Sequence, residues 1–143
     1  MSDVKAKIKK ILCGERQLAS LATVTDDGKP WTRYVMIHAS EDLEIRFATF
    51  LQSRKVGQIQ NNQEVHFNCG IMHVAQASSY LQIQAHAQVT TDEEERKGLW
   101  HESLKTYFKG VDDPNYAVVI CKPYRIEFMA LGSLVPEVWE AKA

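Results

Sequence analysis

The sequence has no apolar run approaching the roughly 20 residues that a bilayer-spanning helix needs, so no such span is expected. It also lacks an excess of charge of either sign. Seventeen Lys and Arg oppose 18 Asp and Glu, for a formal net charge of −1. That balance gives no general attraction to nucleic acid or to acidic membranes, although a local basic pocket stays open. The three cysteines, Cys13, Cys69 and Cys121, are far apart, odd in number and never in a C-x-x-C pair. This is the usage of a reducing compartment. The opening residues, MSDVKAKIKKIL, contain no continuous apolar stretch and no small-residue cleavage site, so a cytoplasmic protein is expected. Five histidines are present, but none forms H-E-x-x-H or pairs with cysteine at zinc spacing, so no metal site is expected. Ser78-Ser79 lacks the G-x-S-x-G setting of a hydrolase nucleophile. Internal repeats and low-complexity segments are absent.

What is present suits one globular core. At 143 residues, with 45% apolar and 24% charged side chains, the chain fills a single domain over residues 1–143. Ser2 and Asp3 are candidate N-caps for a first helix, in which Val4, Ile8, Ile11 and Leu12 recur at helical spacing before Gly14. Residues 17–25 and 30–38 alternate as strands around the turn Asp26-Asp27-Gly28-Lys29, predicting a hairpin. A third strand is expected over 43–49 and a short helix over 54–61, with Ser53 as N-cap. Further strands follow over 64–72 and 80–90. Thr91-Asp92 with Glu93, Glu94 and Glu95 predicts a helix start, and that helix fades near Tyr107. Two closing strands, 116–121 and 124–131, are expected to be separated at Lys122-Pro123. Six or seven strands with two or three helices and no βαβ rhythm predict a mainly β, α+β architecture: an antiparallel barrel with appended helices.

The segment Thr49-Phe50-Leu51-Gln52-Ser53-Arg54-Lys55 places hydroxyl, guanidinium and ammonium groups where a strand gives way to a helix. A helix N-terminus offers unpaired N–H groups, Arg a bidentate fork and Lys a point charge, which together match a phosphate monoester. Arg33, on the neighbouring hairpin strand, is a further candidate cation. Local chemistry alone favours the plainer alternative, a solvated first turn.

Four stretches resemble the pyridoxamine 5′-phosphate oxidase-like family of FMN-binding split barrels, in particular its general-stress-protein branch. Leu18 to Pro30 is similar to the family's opening strand and Gly-containing turn. Arg33-Tyr34-Val35-Met36-Ile37-His38 resembles its R-x-V-L-L-K strand, and Phe47-Ala48-Thr49 with Ser53-Arg54-Lys55 its phosphate segment. Tyr80 to Asp92, followed by Leu99-Trp100, Tyr107-Phe108 and Asp112-Asp113-Pro114, resembles the later part. The resemblance implies a six- to seven-stranded split barrel of FMN-binding type. It implies that Ser53, Arg54 and Lys55 hold the FMN phosphate with Thr49 nearby, and that Arg33 lies close to the phosphate or ribityl chain. It also implies that the backbone of Val35, Met36 and Ile37 flanks the flavin ring, and that the protein is a homodimer with flavin between subunits. Trp100 or Tyr107 then covers the partner's flavin or sits in the core.

Departures from the pattern bear on activity. His38 stands where the oxidase has a substrate-contacting Lys, and the segment Lys97 to Leu104 lacks the oxidase's Arg-Pro and Ser-Gln groups. Residues 134–143 lack its basic and histidine ending, and Ala85 replaces a Gly with little consequence. A second phosphate without buried partners is costly, so oxidation of pyridoxamine phosphate is not expected. The expectation is an FMN-dependent oxidoreductase acting on a small-molecule redox substrate, its catalytic residues unassigned. The alternatives are a non-catalytic flavin-binding stress protein, serving as reservoir or sensor, and a relative that binds haem or a deazaflavin.

Overall fold

The computed structural model describes residues 3–142, so Ser2 as a helix cap lies outside the described residues. Helix α1 (Asp3–Leu12) already includes Asp3, turns Val4, Ile8 and Leu12 inward, and ends before Gly14 at φ 109°. Strands β1 (Gln17–Val24) and β2 (Pro30–Ala39) form the expected hairpin, with Gly28 at φ 81° in its turn. Strand β3 (Ile45–Phe50) leads into helix α2 (Arg54–Asn61), whose Val56 and Ile59 are buried. Strands β4 (Glu64–Cys69) and β5 (Ser79–Thr90) precede helix α3 (Glu93–Leu99), strand β6 (Tyr116–Ala130) and strand β7 (Glu137–Glu140).

The strand order is β3-β2-β1-β4-β5-β6-β7, and β3 also pairs with β6. Six antiparallel strands therefore close into a barrel, and β7 lies outside the ring on β6. Inward positions alternate along each strand as the pleat requires. Leu21, Ile37, Ile45, Phe47, Phe67, Leu81 and Ile83 fill the interior, and Phe47 meets Phe67 edge to face at 6.4 Å. Helix α1 lies against β5, β6 and β7 with Ile8 and Leu12 fully buried, and α2 lies against β1 and β5.

Three elements differ from the sequence expectation. Strand β6 runs unbroken through Lys122-Pro123. Gln84 pairs with Arg125 and Ala85 with Pro123, so Tyr124 is the extra residue of a bulge. A bulge is one of the few places where a sheet accepts a residue lacking an N–H. Strand β7, not expected at all, is only four residues long and pairs with Arg125–Phe128. The helix after Asp92 is shorter than expected. The Asp92 side chain accepts from the Glu95 N–H at 3.1 Å, but extended backbone at Trp100 and His101 ends the helix. A 3-10 turn over Glu102–Thr106 follows. Gly98, a weak helix former, precedes the break, and Trp100 then packs on Tyr116 at 5.5 Å in a second cluster with Leu104 and Phe108.

Gly70, at φ 113°, follows β4 and lies between the Ile11 side chain of α1 and the start of β5. An added Cβ would lie 3.0 Å from Ile11 Cγ2 and 3.3 Å from the Tyr80 Cα. Gly70→Ala is expected to lower unfolding free energy by about 1–3 kcal/mol, combining positive-φ strain with the clash. Gly57→Ala, mid-helix with nothing within 4 Å, is expected to raise it by about 0.5–1 kcal/mol. Urea midpoints of the two variants check both signs.

Candidate functional site

Strands β2 and β3 pair only at His38 with Arg46 and Ala39 with Ile45. Beyond that point β3 continues on β6 as far as Phe50 with Tyr116, while β2 stays on β1. The barrel wall is thus split along residues 30–37 of β2. A cleft of about 450 Å³ opens at the split, between Val35, Met36 and His38 on one side and Ala48, Thr49 and Phe50 on the other. Leu99 to Phe108 supply its outer wall. Its lining residues include no carboxylate.

At the β3–α2 end, the Lys55 ammonium donates to Thr49 Oγ1 at 3.1 Å and to Ser53 Oγ at 3.2 Å, and those hydroxyls lie 3.0 Å apart. The expected N-cap bond is therefore absent. Ser53 stands at the N-cap position, but its hydroxyl is engaged with Lys55 and Thr49 and does not cap α2. Thr49 is buried by its inward position near the end of β3. Arg33 Nη1 donates to Thr23 Oγ1 at 2.7 Å and to the Leu21 carbonyl at 3.3 Å, while Nη2 donates to Gln58 Oε1 at 3.0 Å. Its guanidinium is thus fixed between β1 and α2. Arg54 is exposed and sits 5.6 Å from the Trp31 ring centroid, in cation–π range.

Among the described residues, Arg33, Arg54 and Lys55 make no ion pair. Burial, and then the charge of Arg33, pull the Lys55 pKa below its ordinary value. Burial, and then Arg54, do the same for Arg33. Three mutually repelling cations with hydroxyl donors beside them form a local positive field whose natural complement is an anion. A phosphate monoester fits this donor set, since ammonium and hydroxyl groups can all donate to its oxygens.

The eight expected site residues are thus distributed unevenly. Thr49, Lys55, Val35 and Met36 line the cleft, and Ser53 joins them through its bonds to Lys55 and Thr49. Arg33 and Arg54 stand outside the lining, and Ile37 points into the core. Val35 is also buried, so only Met36 of the three offers an exposed side chain, 52% accessible. Trp100 is partly buried against the second hydrophobic cluster, whereas Tyr107 is 63% exposed at the cleft wall, edge-on to Phe50. Sequence reasoning missed Gln58 and Thr23, which hold Arg33, as well as Arg16 and His101 in the cleft. The hairpin points towards Arg16, which immediately precedes β1, where Gln17 pairs with Ile37 beside His38.

A six-stranded barrel parted between two strands, with a cation-bearing and acid-free cleft at the parting, defines a split-barrel class of protein. Within it, this chain belongs to the pyridoxamine 5′-phosphate oxidase family, whose sequence pattern matches residues 4–130. It is 31% identical over 134 residues to general stress protein 26 of Bacillus subtilis (strain 168), covering 94% of each chain. The crystal structure of general stress protein 26 from Bacillus anthracis superposes with a TM-score of 0.83 at 28% identity, covering 98% of this chain and 100% of that one. A pyridoxamine 5′-phosphate oxidase-related, FMN-binding protein from Nostoc punctiforme shares the fold at a TM-score of 0.66 and 17% identity, over 85% of this chain and 79% of that one.

The lowered Lys55 pKa has a defined sign in stability. The folded state releases this proton more easily than the unfolded chain, so Lys55 penalises folding at neutral pH. The penalty fades as pH rises from its lowered value towards the ordinary lysine pKa of about 10.4. Thermal unfolding of cofactor-stripped protein between about pH 8 and 10 is therefore expected to show a stability gain in wild type relative to Lys55→Met. Parallel curves for the two proteins would contradict this assignment.

Proposed function

We propose that this chain is an FMN-binding flavoprotein of the oxidoreductase kind. Its cleft takes the phosphate at Lys55, Ser53 and Thr49, with Arg54 at the rim and Arg33 behind. The observation that carries this reading is the Lys55 ammonium, positioned by two hydroxyls at the end of an acid-free cleft and left without a counter-ion among the described residues. The edge of β2 that has parted from β3 supports the placement of the ring. Successive residues of a strand turn their N–H and C=O groups to opposite edges, so alternate residues along Val35, Met36 and Ile37 present main-chain groups with no strand partner in β3, free to contact a planar polar heterocycle. FMN supplies the electron-transfer chemistry when bound. The protein holds the phosphate, presents backbone donors to the ring, and excludes water with Leu99, Leu104 and Phe108 along the outer wall.

Pyridoxamine phosphate itself is not the proposed substrate. His38, rather than a lysine, lines the cleft, and the segment 97–104 contributes Leu99, His101, Ser103 and Leu104 but no arginine. The proposed state is a homodimer with the flavin site at the interface. The exposed Tyr34, Met36 and Met72 on the outer face support this, since large apolar side chains grouped on a surface commonly mark a contact.

Purified protein mixed with FMN is expected to show a flavin spectrum that bleaches anaerobically with reduced nicotinamide. Arg54→Ala with Lys55→Ala is expected to weaken FMN at least about 100-fold, since hydrogen bonds to charged groups contribute about 1.5–3 kcal/mol each. The far-ultraviolet circular dichroism should be unchanged. A Soret band in place of a flavin spectrum, or full FMN affinity in the double variant, would overturn the proposal. FMN that binds but is never reduced would point to a reservoir or sensor.

A further inference from the structure

The cleft carries a second group of cationic and proton-bearing side chains away from the phosphate end. Arg16, the residue just before β1, lines the cleft together with His38 and His101. His38 pairs with Arg46, which lies three residues before Thr49 along β3. At about 3.3 Å per residue the two groups are about 10 Å apart along the strand, too far for one phosphate to serve both. His101 projects here because the chain turns from helix to extended backbone at Trp100. Its Nδ1 is buried and has no hydrogen-bond partner. Arg16 makes no ion pair among the described residues.

We propose that Arg16 and His101 form a second anion subsite in this cleft, which takes a small planar organic carboxylate. The proposal rests on the reading of the cleft as an FMN site and names the class of ligand that would lie beside the ring. A guanidinium matches a carboxylate with two parallel hydrogen bonds. A buried ring nitrogen without a partner gains a hydrogen bond when a ligand oxygen arrives, and so relieves an unsatisfied polar atom. Leu99, Leu104 and Phe108 border the same space and suit an apolar body. Burial, and then Arg16, lower the His101 pKa, consistent with a neutral imidazole when no anion is present. The cleft's other ionisable groups are His38, Lys55, Tyr34 and Tyr107, none of them a carboxylate that would compete for Arg16.

The test uses FMN-loaded protein, with flavin content measured first, titrated with benzoate and with benzyl alcohol as an uncharged control. Flavin difference absorbance and the His101 imidazole NMR signals are followed together. Saturable benzoate binding is expected, with a rise in the His101 pKa and little response to benzyl alcohol. Arg16→Gln and His101→Gln are each expected to weaken benzoate at least about 10-fold, with FMN stoichiometry unchanged. Arg16→Lys, which keeps charge without the fork, should recover part of the loss. Equal responses to benzoate and benzyl alcohol would overturn the proposal. So would unchanged benzoate affinity in both variants, and a shifted flavin reduction potential in those variants would then assign the residues to the flavin itself. Absence of FMN at the first step would instead remove the flavin reading on which the subsite rests.

Discussion

The architecture depends on how little β2 and β3 share. Two residue pairs hold these strands together, while β3 pairs with β6 along its whole length. Backbone hydrogen bonding is close to obligatory in a folded interior, so a strand edge left unpaired must face water, side chains or a ligand. The barrel meets this constraint by closing through β3 and β6. It leaves the parted edge of β2 beside a cleft whose outer wall is formed by residues after α3. The core is complete without that edge, because Val35 and Ile37 still point inward.

The cations follow from the same division. Lys55 follows the turn from β3 into α2 and is steadied by hydroxyls from both elements. Arg33 lies on β2 and is steadied from β1 and α2. Neither side chain needs an acidic partner to hold its position, so positive charge accumulates on one flank of the cleft without being neutralised. Placement by neutral oxygen atoms leaves the charge available, which a salt bridge would not.

Much of this was legible in the sequence, and the exceptions have physical causes. The hairpin around Gly28, the alternation in β5 and the inward Val56 and Ile59 of α2 are local signals, and they appear as expected. Pro123 misleads because proline marks a break in a flat strand but is accepted at a bulge, and the bulge depends on pairing with β5 over 30 residues away in sequence. Strand β7 carries almost no pattern in four residues and exists because β6 offers an edge. In the cleft, the phosphate-end residues lie in one short segment and could be read together. Gln58 stands three residues after Lys55 on α2 and was within reach of helical spacing, whereas Thr23 and His101 are brought in by tertiary packing, and no spacing rule links them to Lys55.

Strand β6 is the one element that pairs with three others, β3, β5 and β7. Its 15 residues close the barrel, carry the outer strand and lie behind both hydrophobic clusters through Val118 and Val119. In a chain released from its N-terminus, this strand would emerge after most of its partners, so barrel closure must wait for the last third of the polypeptide. Everything made earlier is an open sheet edged by β3 and β5, and the arrival of that late strand covers both of those edges against pairing with another chain.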